Sequence, residues 1–351
     1  MTLRWASGHA GAAQFAATVF TATVFAATVF AATVFLAGSV SIAQELTTQL
    51  KPQLKFQGPV KFFAGFAAGG QSDILARIIA EQLKDRIGRP VIVENRTGAG
   101  GRIAVEAVKA SPPDGSALVL ANISQMSVAP LIYADLPYDS TRDFTPISKV
   151  VEFQIALATG RQTQAQDFAA MLTWLKANPG KCTSGNPGNG SLPHLYGLDL
   201  AAATGLDLRP IPYRGGAPIV AALTQGDLAM GWAGLGDFLE QHRAGQIRMV
   251  AVTGSARAAE LQDVPTFTEL GFKSVEPNGW IGFFAPAGLP ADLVALYHRE
   301  ITAVLRDPGI RARLESFGFV VIAGSPDELQ AQVLADLVKW KPVVEKAGIK
   351  P

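Results

Sequence analysis

The chain has 351 residues, of which 48% are hydrophobic and 17% charged, enough for two domains, or one large one, with real cores. Its 30 basic and 29 acidic side chains give a formal charge of +1, without the basic excess that is typical of nucleic-acid binders. One cysteine, Cys182, excludes an internal disulfide and a cysteine-rich metal site, and the four histidines are too scattered to predict a metal cluster. We predict a neutral globular protein without a metal or cofactor.

Residues 1–43 have the composition of an export signal. They contain one charged side chain, Arg4, then an apolar stretch that repeats the pentad AATVF, and they end with the small residues Ser41 and Ala43 at suitable positions. This order is typical of a secretory signal peptide. We therefore predict cleavage after Ala43 and export to the periplasm. An uncleaved membrane anchor is the alternative, because the apolar stretch is long enough to span a bilayer.

After a lead at 44–57, strands and helices alternate along the chain. In the first block we predict strands at 59–66, 90–95 and 116–122, and helices at 74–88 and 104–110. A second block starts near 155, with predicted helices at 165–177, 192–203, 217–224 and 235–243, and strands at 181–184, 208–213, 227–232 and 247–252. The tail adds strands at 280–286 and 319–324, a helix at 289–307, and a last helix that Ser325 and Glu328 open as a capping box.

This alternation is typical of an α/β protein with mainly parallel sheets flanked by helices. Long crossing segments near 150–157 and 275–285 predict two lobes joined by a hinge. The predicted lobe 1 is 58–155 plus 279–351, and the predicted lobe 2 is 156–278. Ligands favour the carboxyl ends of strands in such sheets, so we expect the binding site in a cleft between the lobes.

The first glycine-rich turn, at 63–73, leads from a strand into a helix. Glycine lets the backbone approach a ligand closely, and the free N–H groups of a helix start favour a small anion such as a carboxylate. Ser72 is the predicted N-cap. Asp73 complements the helix dipole, and this helix-start role is the alternative to ligand contact. The glycine spacing does not fit a dinucleotide-binding fingerprint.

Later turns repeat the pattern. The turn at 184–194 enters a helix, and Ser191 is its predicted N-cap. Ser191 and His194, three residues apart, suggest a nucleophile and base. Capping and packing explain the pair more simply, and the GxSxG motif of serine hydrolases is absent. The turn at 211–218 carries Arg214, which either neutralises an anion or lies in solvent. A turn at 95–101 supports the cleft or only reverses the chain. Without a cluster of catalytic side chains, these turns favour capture of a small anion over bond breaking.

These turns, in this order, closely resemble the Bug family of extracytoplasmic solute receptors, the substrate-binding components of tripartite tricarboxylate transporters. The resemblance runs from about residue 58 to 350. The matching stretches are FAAGGQSDILARIIAEQL, RPVIVENRTGAGGRIAVEAV, PPDGSALVL, LPYDSTRDFTPIS, GNPGNGSLPHL, IPYRGGAP, DVPTFTELGF, WIGFFAPAGLP and KWKPVVEKAGIK.

The resemblance implies a two-lobed periplasmic-binding-protein (Venus flytrap) fold and a monomeric receptor rather than an enzyme. It also implies that the first turn grips one carboxylate of a dicarboxylate, amino acid or related acid, while the second lobe meets the far end of the ligand. In members that bind amino acids, the position of Asp73 is a candidate for contact with the ammonium group. The implied ligand-binding residues are Phe66, Ala68, Gly69, Gly70, Ser72, Asp73, Ser184, Gly190, Ser191, His194, Tyr213, Gly215 and Gly216.

Two departures from the family pattern bear on the ligand. The family reads PDGYTL where this chain has Ser116 and Ala117, and the stretch at 229–233 replaces two acidic residues and carries Trp232. An altered cleft would favour a bulkier or less polar acid. The expected partner is the membrane permease of such a transporter. A sensor that reports to a membrane kinase, and an exported hydrolase using Ser191 and His194, are the alternatives.

Overall fold

The computed structural model describes residues 54, 56–275 and 278–347. The predicted signal peptide and its cleavage site lie outside these residues. Within the described part, no helix is both long and apolar enough to cross a bilayer. The strands and helices belong to two mixed sheets with helices packed around them.

Lobe 1 is built on a six-stranded sheet in the order β11-β4-β10-β3-β1-β2. β1, β2 and β3 pair in parallel, whereas β10 is antiparallel to both of its neighbours and β11 is antiparallel to β4, so that four of the six strands share one direction. The strands are β1 Val60–Ala64, β2 Val91–Asn95, β3 Ala117–Asn122, β4 Phe144–Phe153, β10 Gly279–Pro286 and β11 Phe319–Gly324.

Lobe 2 is built on a five-stranded sheet in the order β7-β6-β8-β5-β9. β6 pairs in parallel with β7 and β8, and β5 runs antiparallel to β8 and β9, so that four of the five strands share one direction. The strands are β5 Ile155–Thr159, β6 Thr183–Asn186, β7 Arg209–Pro212, β8 Met230–Gly234 and β9 Arg248–Val252.

Ten α-helices connect the strands of the described residues, and a π-helical turn, Ser124–Val128, follows β3. The helices are α1 Gln71–Ile87, α2 Arg102–Lys109, α3 Ala129–Ile132, α4 Phe168–Ala177, α5 Leu192–Thr204, α6 Gly216–Gln225, α7 Leu235–Arg243, α8 Ala291–Arg306, α9 Pro308–Glu315 and α10 Pro326–Ala347.

The chain passes from lobe 1 to lobe 2 along strands rather than through a loose crossing segment. β4 ends at Phe153 and β5 begins at Ile155, so only Gln154 separates the two sheets. The apolar residues of this stretch are buried, which favours extended strands over an exposed linker. The lobes also share a core, since the Tyr196 ring of α5 lies 6.1 Å from the Trp340 ring of α10.

The helix starts confirm two of the sequence predictions and correct a third. Ser191 caps α5 by accepting from the backbone N–H of His194, and Ser325 and Glu328 form the predicted capping box of α10. The prediction that Ser72 caps α1 is wrong. The N-cap is Gly70, in extended conformation and without a side chain to accept a hydrogen bond.

Candidate ligand-binding cavity

A cavity of about 50 Å³ lies between the two lobes, with room for roughly three to five water molecules. Four helices begin at its wall, namely α1, α5, α6 and α7, so the partial positive charges of their N-termini converge there. The lining residues are Phe66, Gly70, Gln71, Ser72, Asn122, Ile123, Ser124, Phe153, Ile155, Pro187, Leu192, Pro193, Gly215, Gly216, Gly234 and Asp237.

Asp237, in the first turn of α7, lies at the cavity wall and contacts the start of α1 in the other lobe. Its Oδ1 accepts a 2.7 Å hydrogen bond from the backbone N–H of Gln71, which takes over the capping role that Gly70 cannot perform. The carboxyl group occupies the space beside Gly216, where an added β-carbon would overlap it. An added β-carbon at Gly70 would lie 3.3 Å from Oδ1. The glycines therefore make room for this one carboxylate.

The carboxylate of Asp237 has no countercharge among the described residues. Burial raises its pKa to about 6, although backbone hydrogen bonds from Gln71 and Gly234 act in the opposite direction. None of the salt bridges found among the described residues involves Asp237. Asp237 is only partly exposed, and a partly desolvated anion without a countercharge is costly.

Three other polar residues at the cavity wall are Gln71, Asn122 and Ser124. Gln71 is 5% exposed, and its Nε2 has no hydrogen-bond partner within the described part of the chain. Asn122, at the end of β3, uses Oδ1 to accept from the N–H of Ser124, which leaves its Nδ2 as a donor. The Ser124 hydroxyl accepts from the N–H of Leu192 across the lobe boundary.

Asp73 is held inside lobe 1 and does not line the cavity. Its Oδ2 accepts from the Gly69 N–H at 3.0 Å and from Arg77 Nε at 2.9 Å, and its Oδ1 accepts from Asn95 Nδ2 at 2.9 Å. Burial alone would raise the pKa of Asp73, but the hydrogen bonds from Arg77, Gly69 and Asn95 lower it below its usual value. These bonds hold the first turn and direct the Asp73 carboxylate away from the cavity.

The serine and histidine of the second turn form hydrogen bonds with the backbone of that turn. His194 Nδ1 accepts a 3.1 Å bond from the Gly190 N–H, and burial lowers the pKa of the imidazole. The Ser191 hydroxyl accepts from the backbone of His194, not from its ring. A nucleophile–base pair requires a hydrogen bond between hydroxyl and ring, so this geometry disfavours the hydrolase alternative. His194 and Ser184 instead border a separate small cavity beside β6.

The third turn joins lobe 2 to the first turn. The backbone N–H of Ala67 donates to the Arg214 carbonyl at 2.8 Å. Gly215 has a φ of +126°, and an added β-carbon there would lie 3.1 Å from Cβ of Phe66. Glycine is therefore required both for the backbone conformation and for the close approach of the two turns. Tyr213 borders an outer cleft together with Arg214.

The chain matches the sequence profile of the TctC family, described as the tripartite tricarboxylate transporter family receptor, over residues 75–349. The chain belongs to this family. BugT of Bordetella pertussis is 30% identical to it over 293 residues, which are 83% of this chain and 90% of BugT.

Solved structures of similar proteins confirm the predicted two-lobed α/β fold of a periplasmic binding protein. The structure of the periplasmic binding protein BugD is 32% identical, with a TM-score of 0.81 over 84% of this chain and 99% of that one. MatC from Rhodopseudomonas palustris, solved with bound malate, is 27% identical, with a TM-score of 0.77 over 82% of this chain and 98% of MatC. The resemblance to Bug-type receptors seen in the sequence is thereby confirmed.

The structure of this TctC-family chain brings part of the predicted site together. Five of the predicted residues line the cavity: Phe66, Gly70, Ser72, Gly215 and Gly216. The other eight lie outside its wall: Ala68, Gly69, Asp73, Ser184, Gly190, Ser191, His194 and Tyr213. Of the residues at 229–233 that depart from the family pattern, none lines the cavity, and the Trp232 ring is buried and stacked on Phe267.

The polar residues that the sequence analysis missed are Gln71, Asn122, Ser124 and Asp237. A signal for two of them was present. Asn122 ends a parallel strand, and Asp237 follows the strand-to-helix turn Gly234-Leu235-Gly236, which has the same pattern as the turns singled out above.

Proposed function

We propose that the mature chain is a periplasmic receptor that binds one small carboxylate between its lobes and delivers it to the membrane subunits of a tripartite tricarboxylate-type permease. The observation that carries this proposal is the convergence of four helix starts on one cavity between the lobes. Helix N-termini favour anions, and a cavity between two lobes is a common location for a small-molecule site. Membership of the TctC family supports the receptor role, and the malate held by MatC supports a carboxylate as the ligand.

The proposed binding mode uses the predicted site residues in two ways. Phe66, Gly70, Ser72, Gly215 and Gly216 contact the solute from the cavity wall. The others build the turns that hold this wall, as Asp73 does through its three hydrogen bonds. The solute is bound and released unchanged, since the Ser191 and His194 pair lacks the hydrogen bond of a nucleophile and base.

Closure of the lobes is the proposed signal to the permease. Hydrogen bonds link the lobes around the cavity, from Gln71 to Asp237, from Ala67 to Arg214 and from Leu192 to Ser124. A ligand that contacts both lobes would favour this closed arrangement over an open one. We propose the lobe limits 58–155 plus 279–351 and 156–278, a monomeric receptor, and export by a signal peptide cleaved after Ala43. BugD, a periplasmic binding protein, supports this location.

A thermal-shift panel tests the binding function. The mature chain is refolded to remove carried-over solute and is melted with C3–C6 mono-, di- and tricarboxylates and with amino acids. At roughly 100 times its Kd a ligand stabilises the protein by about 2.7 kcal/mol, enough to raise Tm by several degrees. A flat panel would contradict carboxylate binding. Uptake of the stabilising solute should be lost when the receptor is deleted, and unchanged uptake would refute delivery to a permease.

A further inference from the structure

We infer that Asp237 is the countercharge for an ammonium group of the solute, so that this receptor selects an amino acid, or another carboxylate with a cationic amine, over a plain carboxylate. The inference rests on the proposed function, because it names the class of ligand that the same cavity takes. It concerns a residue of lobe 2 that the sequence analysis did not single out.

The first observation is an anion in the cavity wall that forms no ion pair among the described residues. Asp237 is fixed by the backbone of Gln71 and Gly234, and no basic side chain forms an ion pair with it in the described part of the molecule. Two backbone bonds leave a carboxylate with capacity to accept more. Buried charges in proteins are paired or neutralised, and the cavity itself is the place from which a partner can come.

The second observation is that residues with hydrogen-bond donors line the same cavity as Asp237. Gln71, whose backbone N–H already binds Asp237, also carries a buried side-chain amide nitrogen that has no hydrogen-bond partner among the described residues. Asn122 offers its Nδ2, and Ser72 lies one residue beyond Gln71 in the first turn of α1. Donors beside a single acceptor match the carboxylate and ammonium groups that an α-amino acid carries on one carbon atom.

The arrangement also disfavours the competing ligands. A second carboxylate placed beside Asp237 would meet a like charge in a poorly solvated site, where repulsion is stronger than in water. Asp73 cannot take the ammonium group in its place, because Gly69, Arg77 and Asn95 already occupy its oxygens away from the cavity. Asp237 is therefore the acidic group that the geometry assigns to this contact.

Titration calorimetry at pH 7.5 on the refolded mature chain tests the inference with matched pairs of probes. L-aspartate and succinate differ only by the ammonium group, as do L-alanine and propionate. We expect the amino member of a pair to bind at least tenfold more tightly. In Asp237→Asn, which keeps an acceptor for the Gln71 N–H but loses the charge, this preference should fall by tenfold or more. Asp292→Asn is the matched control, because Asp292 is also in the first turn of a helix but is exposed.

The outcomes separate the inference from the function beneath it. Equal or tighter binding of succinate, propionate or malate than of the amino acids overturns the inference and leaves carboxylate binding intact. So does dicarboxylate binding that strengthens at pH 5, because a protonated Asp237 would then be donating to the ligand. If no probe of either class binds, the proposed function fails as well. Should Asp237→Asn fail to fold, the paired probes on the unsubstituted chain still decide.

Discussion

Replacing Asp237 by asparagine should stabilise the ligand-free receptor, although it removes a group placed in the binding site. The folded-state pKa is about 6 against an ordinary value of 3.8, mainly because of burial. The folded chain therefore binds the Asp237 proton more tightly than the unfolded chain does. The resulting contribution to the free energy of unfolding is complete below pH 3.8 and is lost as the pH rises through about 6. At roughly 1.4 kcal/mol for each tenfold change in proton affinity, the loss is about 3 kcal/mol.

Asparagine cannot ionise and retains an oxygen for the Gln71 N–H, so the variant should not lose stability as the pH rises. The variant should match the unsubstituted chain near pH 4 and exceed it by up to about 3 kcal/mol at pH 8, equivalent to a Tm increase of roughly 5 °C for a folded unit of this size. Thermal melts of both proteins from pH 4 to 8, without ligand, measure the difference. A difference that stays constant across this range would refute the reasoning, because Asp237 would then not titrate abnormally in the folded state.

Three further predictions concern the turns around the cavity. Gly70→Val should abolish binding of the solute found in the panel with little change in circular dichroism, because the added side chain would crowd the Asp237 carboxylate. The control is Gly180→Val, where an added β-carbon has no atom within 4 Å, and this variant should bind normally. Asn95→Ala removes bonds that hold the first turn and should lower stability by about 1–3 kcal/mol in urea melts and weaken binding in calorimetry. Ser191→Ala should cost about 1 kcal/mol as a lost cap in the same melts while ester hydrolysis stays at background; activity lost with this variant would instead support the hydrolase.

The sequence predicts most elements because their signals are local. Helix 235–243 and strand 319–324 have the predicted limits, since periodicity and flanking turns define both ends. The strand predicted at 181–184 lies at Thr183–Asn186, because a short 3-10 turn, Pro179–Lys181, precedes it. The passage between lobes was predicted as a crossing segment, and a single residue between two strands cannot be read from composition. The antiparallel strands of each sheet could not be predicted, because the alternation of strands and helices along the sequence does not show which distant strands pair.

The site was predicted less completely than the fold, and Asp237 shows why. Its hydrogen bond to Gln71 joins residues 166 positions apart, and neither residue is unusual in its own segment. The first turn contains Asp73, the aspartate for which the sequence predicts contact with an ammonium group. Its oxygens instead accept hydrogen bonds from Arg77, one helical turn away, and from Asn95, at the end of the next strand. The donors that the fold brings to Asp73 and to Asp237 decide which of the two carboxylates remains without an ion pair. The charge available to a ligand thus depends on the assembled cavity. It belongs to Asp237 in lobe 2, whereas the first glycine-rich turn of the sequence indicates lobe 1.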